Sequence, residues 1–341
     1  MIGISRRATL RALSAGMASA LALSAGLAHA EGDTVKIGYA VARTGPSATG
    51  AGITTIPNYE LWVDTVNKAG GLKMPDGSQK MIEVVEYDNR SANEDLVRSI
   101  ERLASQDEVD LILPPWGTGA NLAIAPLMAR FGYPQIAVTA VTDKAPEFAE
   151  RWPTSFWLLG GGHDYASGLV DVLSKARDEG KINNKVAVVS VADGFGIDLI
   201  NGARPAFEAA GFDLVYDKTY PLGTSDFAAI MSEAQGSGAD SFVAFSYPPG
   251  SFGMTKTAQS MNYNPKVFYI SVGGAFPIYP RIAENTEEGV MSIGGVNADS
   301  PAIQAYFAAH TDFVGAPPDS WASAITYASL EMLQQAVQRV G

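Results

Sequence analysis

Apolar positions in this chain recur first at every second residue and then at every third or fourth, and from Thr34 the two rhythms alternate. Val35, Ile37, Tyr39 and Val41 alternate with smaller or polar residues, the spacing of a strand. The polar, Gly- and Pro-containing run RTGPSATG, residues 43–50, breaks that strand. A helix is predicted from about Ile53 to Lys68, carrying Tyr59, Leu61, Trp62 and Val66 on one face and ended by Gly70 and Gly71. The next strand spans Met81–Tyr87. Ser91 and Glu94 then have the spacing of a capping box for a helix whose apolar face is Leu96, Val97, Ile100, Leu103 and Ala104.

Val109, Leu111, Ile112 and Leu113 form a short apolar run bounded by Asp110, Pro114, Pro115 and Gly117, which fits a strand buried on both faces. Thr118 is placed to cap the following helix, in which Leu122, Ile124, Ala125 and Leu127 are the buried positions and Gly132 with Pro134 the stop. A fourth strand, Ile136–Val138, runs into Thr139, Ala140, Val141 and Thr142. Four strands separated by helices imply a parallel sheet with right-handed crossovers. Two of its strands end in loops rich in hydroxyls and free amides, where open α/β sheets place ligands.

Residues 143–153 contain two prolines and scattered charges, as a passage between two lobes would. The strand and helix grammar then restarts. Tyr165, Leu169, Val172 and Leu173 mark a helix, and strands are predicted over Val186–Val191, Phe212–Tyr220, Phe242–Phe245 and Phe268–Ile270. The passages SQDEVDLILPPWGTG and QGSGADSFVAFSYPPG echo each other: helix end, Asp, apolar strand, then a Pro/Gly loop with one aromatic, Trp116 in the first and Tyr247 in the second. Two similar lobes would present these aromatics to one cleft.

With 341 residues the chain is long enough for two ordinary domains. Arg6, Arg7 and Arg11, an Ala/Leu-rich run over Leu10–Leu27 and the small-x-small site Ala28-His29-Ala30 mark residues 1–30 as an export signal. The order Ser5-Arg6-Arg7-Ala8-Thr9-Leu10-Arg11 also resembles a twin-arginine signal, with Thr9 where a bulky apolar residue is usual. An uncleaved anchor is the competing reading, and the run is shorter than the ~20 residues of a spanning helix. Loss of those three arginines takes the formal charge from -12 to -15, which disfavours nucleic acid as a partner. The chain has no cysteine, which excludes disulfides, thiolate catalysis and zinc-cysteine sites. Of three histidines, His29 leaves with the signal, while His163 and His310 lack spaced acidic partners and are read as surface or capping residues. No metal or cofactor is implied.

The runs VKIGYAVARTGPSATG, YDNRSANEDLVRSIERLASQDEVDLIL, GTGANLAIAP, DGFGIDLINGARPAFEAAG and TSDFAAIMSEAQGSGADSFVAFS, in this order and spacing, resemble the type I periplasmic binding proteins, the leucine/isoleucine/valine-binding group of solute receptors for ABC transporters. The resemblance covers nearly all of the chain after the signal. It implies an α/β fold of two Rossmann-like lobes, each a parallel sheet flanked by helices, closing on a ligand held between them. The first lobe would be residues 31–156 plus about 296–341, and the second 157–295. Members of this group usually run several tens of residues further and cross between lobes a third time, so a chain truncated at its C terminus is expected. The resemblance also implies a soluble periplasmic monomer that delivers a small carboxylate to an inner-membrane permease.

Carried onto this sequence, the carboxylate site falls on Thr118, Gly119, Ala140 and Thr142, with Trp116, Phe195 and Tyr247 packing the ligand body and Ser271 on the second-lobe wall. Group members that bind amino acids hold the ammonium with an acid after a late second-lobe strand, a position that is Val272 here, and residues 271–276 contain no acid. The expectation is a carboxylate without an α-ammonium, aromatic or branched aliphatic, ahead of an amino acid. Bland readings stand beside these: Trp116 as the cap of a sheet edge, Thr118 and Thr142 as purely structural hydroxyls, Phe195 and Tyr247 as core aromatics. Two other functions remain open at this point. One is a sensor subunit that reports ligand to a signalling partner. The other is a cleft enzyme built on carboxylates such as Asp143, Glu147 and Asp193, against which stands the lack of a Gly-x-Ser-x-Gly elbow or metal-spaced histidines.

Overall fold

A computed structural model describes residues 34–284 and 288–341, and the export signal expected over residues 1–30 lies outside the described residues. Strands β1 (Thr34–Val41), β2 (Leu72–Lys73), β3 (Gln79–Asp88) and β4 (Leu111–Leu113) form a sheet in the order β2-β3-β1-β4. β1 and β4 are parallel, Ile37 opposite Leu111 and Tyr39 opposite Leu113. β5 (Gln135–Ala137) lies beside β4 and pairs in parallel with β6 (Ser155–Trp157). The second sheet is wholly parallel. It consists of β7 (Lys185–Val191), β8 (Asp213–Tyr220), β9 (Ser241–Phe245), β10 (Val267–Ile270) and β11 (Val290–Ser292) in the order β11-β10-β9-β7-β8. Every residue of β9 and β10 is buried, as continuous apolar strands covered by helices on both faces should be.

Helices connect the strands: Asn93–Ser105 and Thr118–Phe131 in the first half, and Gly162–Asp178, Gly194–Ala209, Ala228–Gly236 and Pro248–Met261 in the second. The helices Pro301–Val314 and Ser323–Val340 return to the first half and pack on Ile56–Lys68. Polar bonds fix that return: Tyr306 donates to Asn58 Oδ1 at 2.6 Å and Trp62 Nε1 to Gln334 Oε1 at 3.1 Å.

Several local expectations are corrected. The helix predicted from Ile53 is two, Ala48–Thr54 and Ile56–Lys68, divided at Thr55 because Pro57 in the second helix's first turn has no amide to continue the first. Thr118 is not an N-cap: Gly117 holds that position, at φ 95° and ψ 151°, a conformation open to glycine alone. Ser91 and Glu94 do not form a capping box. The cap residue is Ala92, and Ser91 Oγ instead donates to the Thr44 carbonyl and accepts from the Ser47 amide. Residues 143–153 are not the passage between sheets, since β6 still pairs with β5 and the chain leaves only after Trp157. Val172 faces solvent, and the buried face of its helix is Ala166, Leu169, Val170 and Leu173. His310 is buried rather than at the surface, its Nδ1 3.1 Å from the Ala316 carbonyl.

Candidate ligand site

The segments that follow β1, β3, β4, β7, β8 and β9 line a cavity of about 260 Å³. Ser91, Asn93, Trp116, Gly119, Asp193 and Tyr247 are among its lining residues. Two helix starts, Asn93–Ser105 and Thr118–Phe131, end on it, so amides with no intrahelical acceptor and the positive ends of two helix dipoles face the cavity.

Three aromatics join the two halves. The rings of Trp116 and Tyr247 have centroids 4.6 Å apart, and those of Phe195 and Tyr247 stack at 4.9 Å. The Tyr247 hydroxyl donates to Asp193 Oδ2 at 2.6 Å and accepts from the Thr118 amide at 3.3 Å. Asp193 is the N-cap of the helix Gly194–Ala209, its Oδ2 accepting from the Phe195 amide at 3.4 Å. Its Oδ1 lies against Gly119, where any side chain would overlap it. Burial first, and the Asp193 charge second, push the Tyr247 pKa well above the usual tyrosine value. The phenol therefore keeps its proton.

The loops are braced from behind. The Gly117 amide donates to Thr139 Oγ1 and the Val141 amide to Thr118 Oγ1, both at 3.0 Å, which ties the loop after β4 to the loop after β5. On the other side Ser271 Oγ accepts from the Ser246 amide at 2.8 Å and donates to the Ser246 carbonyl at 3.0 Å. Ser246 Oγ meets Ser251 Oγ at 2.6 Å, and Ser251 Oγ donates to the Val272 carbonyl at 2.5 Å.

Of the eight residues singled out from sequence, Trp116, Gly119 and Tyr247 line the cavity. Thr118 is buried behind Gly119 with its amide on Tyr247, and Phe195 is buried under the Tyr247 ring. Ala140 is fully buried. Thr142 is turned to local bonds, accepting from the Lys144 amide and donating its own amide to the Gly160 carbonyl. Ser271 is not among the cavity-lining residues, and its hydroxyl bonds to the Ser246 backbone. From sequence, Asp193 enters only as a carboxylate of the cleft-enzyme alternative and not as a ligand-binding residue, and Ser91, Asn93 and Glu94 are not read as cavity wall. Asp193 had a signal, an Asp-Gly pair between an apolar strand and a helix, which is an N-cap pattern at a strand end.

A profile of the family described as periplasmic binding protein matches residues 34–341. The chain is 23% identical over 337 residues to Leu/Ile/Val-binding protein homolog 7 of Brucella abortus (strain 2308), covering 94% of this chain and 81% of that one. Its fold is similar to that of a branched-chain amino acid transporter substrate-binding protein of Streptococcus pneumoniae in complex with isoleucine, with TM-score 0.71 and 23% identity over 89% of this chain and 84% of the other. It is also similar to that of an ABC transporter solute-binding protein of R. palustris in complex with benzoate, with TM-score 0.75 and 18% identity over 89% of this chain and 81% of the other. The family profile spans all of the described chain, and two parallel-sheet lobes meet at an aromatic-lined cavity: the chain belongs to the type I periplasmic binding proteins of ABC transporters.

Proposed function

We propose that this protein is the exported receptor of an ABC uptake system for a small organic acid with an aromatic or branched aliphatic body and no α-ammonium, and that it performs no chemistry on that ligand. One observation carries the reading. The helix start at Thr118 and Gly119 already receives, from across the cleft, a carboxylate and a phenol oxygen, those of Asp193 and Tyr247. The Thr118 amide is taken by Tyr247, and the neighbouring helix-start residues Gly119 and Ala120, which line the cavity, offer a ligand carboxylate the same complement of backbone amides and a helix dipole. Trp116 and Tyr247, which line the cavity with Phe195 stacked behind Tyr247, offer faces suited to a flat or branched apolar body.

The absence of an ammonium rests on where the acids are. Val272 is buried, and no acidic residue lies in the 271–276 loop. A buried ammonium without a carboxylate partner costs several kcal/mol. Besides Glu94 on the cavity wall, the residue that favours an amino acid is Asp193, which also lines the cavity. Its Oδ2 is taken by the Tyr247 hydroxyl and the Phe195 amide. The relatives divide in the same way, one bound to isoleucine and one to benzoate. In the transport cycle the ligand favours the closed arrangement of the lobes by touching both, and the permease reads that arrangement. The test is mass spectrometry of the small molecule that co-purifies with the protein. A carboxylic acid lacking a primary amine is expected; an α-amino acid would overturn the proposal.

A further inference from the structure

Tyr247 brings more than a ring to the cleft. Its one oxygen bridges a free amide at the start of one helix, Thr118 N at 3.3 Å, and a carboxylate at the start of another, Asp193 Oδ2 at 2.6 Å. The head group of an α-amino acid needs these same two partners close together, an amide donor for its carboxylate and an anionic acceptor for its ammonium. A protonated phenol satisfies both and carries no charge.

We propose that the Tyr247 hydroxyl is the specificity determinant of the cleft: it occupies Thr118 N–H and Asp193 Oδ2 in place of an α-amino acid head group and so excludes zwitterions. The inference rests on the cleft being the ligand site. Three observations support it. The Tyr247 ring is buried and in contact with both Trp116 and Phe195, so the hydroxyl is held between its partners rather than free to swing away. Asp193 needs no cation from a ligand, because its charge is met by the amide at its own helix start, the phenol, and the positive end of the helix that begins beside Gly119. Gly119 lacks the side chain that would keep Asp193 away from that helix end.

Removing only the hydroxyl leaves the ring stack in place and frees an anion donor and a cation acceptor on opposite sides of one small gap. A half-buried carboxylate that has lost its donor then gains most from a cationic ligand group. The test is calorimetric titration of Tyr247→Phe and the wild type with leucine and with phenylalanine. The variant should bind at least one of them about tenfold or more tighter than the wild type does, the equivalent of a single hydrogen bond to a charged group. The double variant Tyr247→Phe/Asp193→Asn should lose that gain. Unchanged or weaker amino-acid binding by Tyr247→Phe, or a gain that survives in the double variant, overturns the inference. If Tyr247→Phe does not fold, Tyr247→Leu removes the same hydroxyl and is judged by the same criterion. Titration of the wild type with 4-methylpentanoate, which is leucine without its ammonium, reports separately on the proposed function. Its failure to bind would count against that reading, whereas the inference is decided by the change in amino-acid affinity alone.

Discussion

Gly50 and Gly52 lie two residues apart in the helix Ala48–Thr54 and make opposite demands on their surroundings. A methyl group at Gly50 would overlap the indole of Trp116, whereas nothing lies within 4 Å of one at Gly52. Replacing glycine by alanine in a helix gains up to about 1 kcal/mol, and overpacking a filled site loses about 1–3 kcal/mol. The steric term should win at Gly50 and be absent at Gly52. Thermal unfolding should therefore show Gly50→Ala less stable and Gly52→Ala slightly more stable than the wild type; a stabilised Gly50→Ala would mean that Trp116 is not fixed against this helix. At this scale the sequence was partly legible. Trp116 and Tyr247 stood out as aromatics in Pro/Gly loops at strand ends, and both line the cavity. What could not be read was the role of each hydroxyl: Thr118 and Ser271 take partners 23 and 25 residues away that only the fold brings close, while Thr142 turns to the Lys144 amide two residues on.

Two connections between elements make further predictions. Ser271 Oγ satisfies both the amide and the carbonyl of Ser246, all of it buried, which fixes the loop that carries Tyr247. Ser271→Ala strands two buried backbone groups and should destabilise the protein by about 1–3 kcal/mol, measured by urea unfolding. A loss of ligand affinity with stability intact would instead mark Ser271 as a direct ligand contact. The second connection is Asp198, whose carboxylate accepts from the Asp143 amide at 3.0 Å and the Gly162 amide at 3.1 Å, joining the loop after β5 to the start of the helix Gly162–Asp178. Burial, and then the neighbouring Asp143 charge, raise its pKa above the ordinary 3.8 despite these donors. The folded chain thus holds a proton that the unfolded chain has already lost, so stability from this site falls as pH rises from the ordinary value through the raised one. The Tm advantage of Asp198→Asn over the wild type should be larger at pH 7 than at pH 4, and an equal difference at both would contradict this. Long apolar elements were legible in the sequence. Three short ones were not: β2, β6 and β11 have two or three residues each and exist only because a neighbouring strand is there to pair with.

For the molecule as a whole, the order of strands and helices was enough to indicate two α/β sheets, parallel apart from the antiparallel edge pair β2–β3, because apolar runs buried on both faces alternate with amphipathic helices from Thr34 onward. The return of the two C-terminal helices to the first half was expected from the family resemblance, and no local pattern in the sequence carries it; it rests on distant pairs such as Tyr306 with Asn58 and Trp62 with Gln334. The cleft is likewise a product of the whole fold. Its defining contact, Tyr247 between Thr118 and Asp193, joins residues 129 and 54 positions apart. The central claim is that this cleft takes a carboxylate and refuses an ammonium beside it. Calorimetric titration of the wild-type protein with the matched pair 4-methylpentanoate and leucine tests it most directly, since the two differ only in the ammonium. Binding of the acid with leucine at least about tenfold weaker is the predicted result, and tight leucine binding with no response to the acid would contradict it.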